Sequence, residues 1–362
     1  MKRLFFVLML CCLLTACATP DGAVEESIAP SAAPSSTPTF TSAPTATPSP
    51  EPTATPDPTP VLIGEISVPY GAESLDLQSL PYTIAEVAAV KQELPALKIL
   101  WSFELYGRTL CTTDEGEIDL SYSEVGDMDE LIAALSLLEN AETVNLSHCN
   151  LSNEELAALR EQVTNTKVVW TIRFRRWELR TDAVAFSTFQ DDPPAYALTS
   201  GDVDALRYCT ELVALDLGHN AITELSFLEP LTELKVLLLS DNYITDISVL
   251  AKLDKLMYLE MFLNRISDLS PLAGKTSLLD LNLCYNRFTD VSAIISCENL
   301  ERIWLAQCEV SDENRARLTA AFPNAVFDFD SPSCTRNGWR EHPRYFAYIT
   351  MLRENILVAP FN

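Results

Sequence analysis

Cysteine, histidine and the carboxylates are the residue types here that could carry chemistry. The 362 residues hold 10 Cys, three His (His148, His219, His342) and 51 Asp+Glu. Beyond Cys17 no Cys-x-x-Cys or His-x-x-x-His occurs, the spacings that bring two ligands to one zinc ion. Gly-x-Ser-x-Gly, His-Glu-x-x-His, phosphate loops and dinucleotide fingerprints are also missing. No catalytic residue, metal or cofactor is therefore assigned. Glu224, Asp246, Asp268 and Asp290 recur every 22 residues. Calcium takes oxygen ligands, but one acid per turn is sparse, so the column reads as turn acids. Carboxylate pairs of the kind that cleave glycans cannot be recognised without the fold that joins them. Cys209 and Cys297 fall four periods apart on a buried-type position. Stacked strands would separate them by roughly 19 Å, too far for a disulfide. With Cys149 and Cys308 they read as core cysteines, and the three His read as solvated side chains. Seven Cys follow Cys17, an odd number that leaves at least one thiol free unless chains cross-link.

Cys17 has a different setting. Lys2 and Arg3 precede an apolar run over residues 4–16, the layout of a secretory signal and too short to span a bilayer comfortably. The run ends Leu14-Thr15-Ala16-Cys17, which resembles the bacterial lipobox. That resemblance implies cleavage before Cys17 and acylation of its thiol. Two acyl chains suffice for stable anchoring. Residues 1–16 are thus expected to be a lipoprotein signal peptide. The body is expected at the extracellular face of the cell membrane, contacting the bilayer only through its lipid.

Residues 17–60 hold 11 of the 22 Pro, set among Thr, Ser and Ala. Such a segment has too little apolar surface to offset the entropy of ordering. It reads as a disordered Pro/Thr-rich linker that, near polyproline II geometry, reaches on the order of 100 Å. Lys+Arg number 25, giving a net charge of −26. That balance argues against nucleic acid, whose phosphates demand clustered cations.

From residue 212 the chain repeats every 22 residues without gaps through 299. The pattern is L-x-x-L-x-L-x-x-N-x-I-[ST]-[DE]-[LI]-S-x-L, and a fifth copy from 300 puts Cys308 where Asn stood. The L-x-L alternation reads as a short strand with one buried face. Asn220, Asn242, Asn264 and Asn286 recur at the turn leaving it, where an amide can satisfy backbone groups. A single unit cannot bury its apolar face alone, so neighbours must stack. These copies resemble leucine-rich repeats of the 22-residue internalin-like type. Residues 74–101 align with 143–170, 69 positions on, as strand, turn, helix and strand. Further strand candidates are 117–120 and 183–186. The expected fold is an α/β leucine-rich-repeat solenoid with a parallel β-sheet on its concave face. Irregular repeats occupy 61–211, regular ones 212–330, and a C-terminal cap 331–362. About a dozen parallel strands are expected in one continuous array over 61–330.

Residues flanking the buried Leu should face the concave side. Tyr258, Glu260, Phe262, Tyr285, Arg302 and Trp304 fall together there on adjacent units. Exposed aromatics with a few charges are the composition of a recognition surface. The resemblance to a leucine-rich-repeat surface lipoprotein of a Gram-positive bacterium implies a non-catalytic protein that binds a protein or glycan partner, in adhesion or in host or envelope interaction. A passive structural envelope protein, or a cell-wall-acting enzyme with an unrecognised carboxylate site, is the alternative.

Overall fold

A computed structural model describes residues 59–188 and 197–362. The expected signal peptide, Cys17 and nearly all of the linker lie outside these residues. The N-terminal half contains two related units. Strand β1 (Val61–Ile63) and β2 (Ile66–Val68) form an antiparallel hairpin that opens the described chain. In the first unit β3 (Ser74–Asp76) pairs in parallel with β4 (Lys98–Leu100) across helix α1 (Ile84–Glu93). A hairpin of β5 (Ser102–Leu105) and β6 (Arg108–Cys111) follows. Strand β7 (Gly116–Asp119) then leads into α2 (Met128–Ser136). In the second unit β8 (Ala141–Asn145) and β9 (Lys167–Val169) flank α3 (Asn153–Gln162). A second hairpin, β10 (Thr171–Phe174) with β11 (Trp177–Arg180), comes next.

The 69-residue duplication extends into these hairpins. Ser102 pairs with Cys111 and Thr171 with Arg180, the same register 69 residues apart. The Trp101 amide donates to Thr112 Oγ1 at 3.1 Å, and the Trp170 amide to Thr181 Oγ1 at 3.2 Å. Local signals start the helices. Thr83 with Glu86, and Ser152 with Glu155, form reciprocal capping boxes.

The regular half is a seven-stranded parallel sheet. Its order is β12 (Ala185–Ser187), β13 (Ala214–Asp216), β14 (Val236–Leu238), β15 (Tyr258–Glu260), β16 (Asp280–Asn282), β17 (Arg302–Trp304) and β18 (Val326–Asp328). Registers advance by 22 from β13 to β17, so Leu215, Leu237, Leu259, Leu281 and Ile303 stack in one core column. Short 3-10 turns, α4 (Ser292–Ile295) and α5 (Asp312–Ala321) return the chain on the other side. The repeat fold and its parallel sheet are therefore as the period implied. Continuity is not. Hairpins interrupt the N-terminal half, where β3–β4 and β7–β8–β9 form separate parallel sheets.

The asparagine column closes each unit onto the one before it. Asn242 Nδ2 donates to Leu217 O at 3.0 Å, while its Oδ1 accepts the Ile222 amide at 2.9 Å. Asn264 and Asn286 repeat both bonds one and two units later. Cys308 Sγ donates to Leu283 O at 3.1 Å and Cys149 Sγ to Leu120 O at 3.4 Å, each replacing the amide donor with a thiol. The residue just before each of these positions adopts a positive φ. His148, His219, Asp241, Leu263, Tyr285 and Gln307 lie between 55° and 62°. None is β-branched, which is what that backbone region requires. Asp246, Asp268 and Asp290 each accept the amide of a Ser two residues on, at 2.8–2.9 Å, as turn acids.

Candidate recognition surface

Alternation along each strand turns residues 214, 236, 258, 280 and 302, and those two and four places on, toward the concave side. The six residues singled out from sequence do lie there. Solvent does not reach five of them. Tyr258, Glu260, Phe262, Arg302 and Trp304 are between 0 and 5% exposed. Tyr285 is half-buried. The expectation of an open aromatic patch therefore fails. The reason is residues 331–362. They do not stop at the end of the array but fold back across the concave face.

Helix α6 (Pro343–Glu354) carries Tyr348 and Met351 onto the sheet, and Trp339 precedes it. These join Tyr258, Phe262, Trp304 and Phe361 in a second apolar core, separate from the core between sheet and return turns. Ring centroids are 5.2 Å apart for Tyr258 and Trp339, 4.7 Å for Tyr258 and Tyr348, and 5.1 Å for Trp304 and Trp339. Such separations suit offset and edge packing.

The groove's polar side chains grip the segment by its backbone. Arg302 Nη1 donates to Trp339 O at 3.0 Å and Gly338 O at 3.2 Å. Trp304 Nε1 donates to Arg336 O at 3.2 Å, and Asn282 Nδ2 to Cys334 O at 2.7 Å. Tyr285 Oη donates to Pro332 O at 3.2 Å. Side chains of the segment answer in turn. Trp339 Nε1 donates to Glu260 Oε2 at 2.5 Å. Arg344 Nη2 donates to Asp280 Oδ1 at 2.8 Å, and Asp280 also accepts from Arg302 Nε at 2.5 Å. At the far end Asn355, in the left-handed conformation, accepts the amides of Val184 and Ala185 at 2.9 and 3.0 Å.

The electrostatics are unusual for a surface. Asp280 is fully buried between Arg302 and Arg344, so its charge is paired rather than solvated. The guanidinium of Arg302 lies 4.6 Å from the Trp339 ring centroid. Burial pushes the carboxyls of Asp216 and Glu260 above their ordinary values. Opposing this, the Gly218 amide and Ser187 hydroxyl favour the Asp216 anion, and Trp339 favours that of Glu260. Both acids border a cavity of about 80 Å³ with Ser240, Arg340 and Tyr348.

Along the strand exits runs an open rim. Leu263 is 41% exposed, Tyr243 carries Arg265 over its ring, and His219 Nδ1 lies 2.9 Å from Asp241 Oδ2. Among the described residues no three His, Cys, Asp or Glu cluster as a metal site would need. No described helix is long and apolar enough to cross a membrane.

Comparison with known proteins bears on the repeats. Residues 232–274 match the family model for Leucine Rich repeats (2 copies). An internalin C2 structure from Listeria monocytogenes is 23% identical over 59% of this chain and 80% of its own, with a TM-score of 0.33. An internalin (inlF) from the same species is 17% identical over 78% and 85%, with a TM-score of 0.32. A leucine-rich-repeat protein of Leptospira interrogans is 19% identical over 67% and 62%, with a TM-score of 0.31. Curated protein sequences gave no match. A leucine-rich-repeat fold is typical of protein-binding proteins.

Proposed function

We propose that this is a non-catalytic recognition protein, held at the outer face of the cell membrane by a lipidated Cys17, whose concave groove binds a protein partner in adhesion or envelope interaction. One observation carries the groove's assignment. Asn282, Tyr285, Arg302 and Trp304 all direct donors to main-chain carbonyls between residues 332 and 339. A row of donors aimed at carbonyls spaced mostly two residues apart along one chain, beside aromatic side chains, is chemistry for a polypeptide more than for a glycan. The groove's present occupant is the chain's own C-terminal segment. A partner therefore competes with that segment for Tyr258, Glu260, Phe262, Tyr285, Arg302 and Trp304. Membrane anchoring is supported by the Leu-Thr-Ala-Cys run at 14–17 and the Pro-rich stretch behind it.

Capture from envelope and host-cell extracts tests the reading. The mature chain should retain one saturable protein. The double variant W339A/Y348A, with its segment loosened, should retain it at least tenfold more tightly. Equal capture by both forms would place the partner elsewhere on the array. No saturable partner would favour a passive structural role.

A further inference from the structure

All seven described cysteines are thiols, and two of them meet across the boundary between groove and segment. Cys284 lies two residues past β16 and is fully buried, while Cys334 belongs to the segment folded over it and is 8% exposed. Both side chains lie in the one apolar cluster between sheet and segment. One amide fixes both backbones. Asn282 Oδ1 accepts the Cys284 amide at 3.2 Å, and Asn282 Nδ2 donates to Cys334 O at 2.7 Å. The segment is pinned on either side of Cys334, by Tyr285 at Pro332 and by Trp304 at Arg336. Whether a cysteine pair can close depends on how its two backbones are held, and here a single side chain bonds both.

We propose that Cys284 and Cys334 are a disulfide-forming pair that fastens the C-terminal segment covalently into the concave groove. The oxidant is an external disulfide, of a thiol–disulfide oxidoreductase or a small molecule. The Cys334 thiolate attacks one of its sulfurs, forming a mixed disulfide and expelling the first thiolate. Docking brings that mixed disulfide to Cys284. The Cys284 sulfur then attacks Cys334 Sγ and expels the second thiolate. One S–S bond is made and one is broken. Two electrons pass to the oxidant, and the two cysteine protons go to its released thiols. Burial of the docked pair means that the first exchange occurs on the free segment, before it seats. Cys334 rides on the segment that leaves the groove while Cys284 stays in the sheet, so Cys334 is the thiol the oxidant reaches first. Cys308 lies in the adjacent turn but is engaged with Leu283 O, so it is the competing thiol the pairing must exclude. The pairing depends only on meeting an oxidant, so it stands whether or not the groove binds a partner.

Peptide mapping of the full mature chain tests the pairing. The protein is purified reduced, oxidised with glutathione disulfide, alkylated in denaturant and digested with trypsin without reductant. Cys284 then lies in the peptide 276–287, Cys334 in 318–336 and Cys308 in 303–315. The expected product joins 276–287 to 318–336 in most molecules, and dithiothreitol separates them. C308S should give the same product. Recovery of both peptides singly alkylated after oxidation would overturn the proposal. So would a dominant link from either peptide to 303–315.

Discussion

At the residue scale the asparagine column is the clearest case of one side chain joining two repeats. Each amide satisfies backbone groups of its own turn and of the unit before it, so its loss leaves buried carbonyls and an amide unpaired. Asn264→Ala should lower stability by about 2–4 kcal/mol, read from the shift in a urea unfolding midpoint. Cys308→Asn, by contrast, should cost little, because that position makes only the donor half of the pattern. The column was legible in sequence because its spacing is strictly periodic. The positive φ of the residue before it was not, since His, Asp, Leu, Tyr and Gln share no side-chain signature there.

Asp216 and Glu260 set the pH behaviour at the same scale. Their folded values are raised, so the sheet with the segment docked binds protons more tightly than the sheet without it. Stability from this source is fully present below the ordinary carboxylate range and is lost as pH rises through the raised folded values. Arg340, Trp339, Tyr258 and Ser240 face these acids and limit the effect without reversing it. Hydrogen-exchange protection of α6, corrected for intrinsic exchange rates, should therefore fall as pH rises above the ordinary carboxylate range. Glu260→Gln should flatten that dependence.

At the element scale the strands and the C-terminal segment behave differently toward prediction. The L-x-L alternation placed β13 to β17 and correctly turned residues 258, 260, 302 and 304 to the concave side. It could not say what covers them. Trp339 reaches Glu260 from 79 residues away and Arg344 reaches Asp280 from 64. No local pattern records such contacts. The N-terminal hairpins escaped for a related reason. β5–β6 and β10–β11 carry the same 69-residue offset as the helices before them, but four-residue strands leave too short an alternation to read.

The segment's anchor is the testable element. Trp339 is fully buried, packs at a tilt against two aromatic rings of the sheet and donates to Glu260. Trp339→Ala should cost about 3–5 kcal/mol of docking, the usual loss for a buried large aromatic side chain. Residues 331–362 should then be released by trypsin within minutes, while the repeat core between 197 and 330 resists. Simultaneous Ala substitution of Tyr258, Phe262 and Trp304 should release the segment too, because these rings are core rather than surface.

At the scale of the whole molecule, a repeat platform has its concave face occupied by a polypeptide from the same chain. The sheet and its periodic turns make the platform rigid. Donors directed at main-chain carbonyls make it a groove for peptide. Outside the groove, Leu263 and Tyr243 form an exposed rim along the strand exits.

Hydrogen–deuterium exchange of the chain, free and with its captured partner, decides whether a partner takes the segment's place in the groove. In the free chain amides of α6 should be protected. In the complex protection should fall over 331–355 and be kept over β14 to β17, because the partner replaces the segment on the same strands. Unchanged protection of α6 in the complex, with new protection on the return turns or on the N-terminal units, would contradict the account.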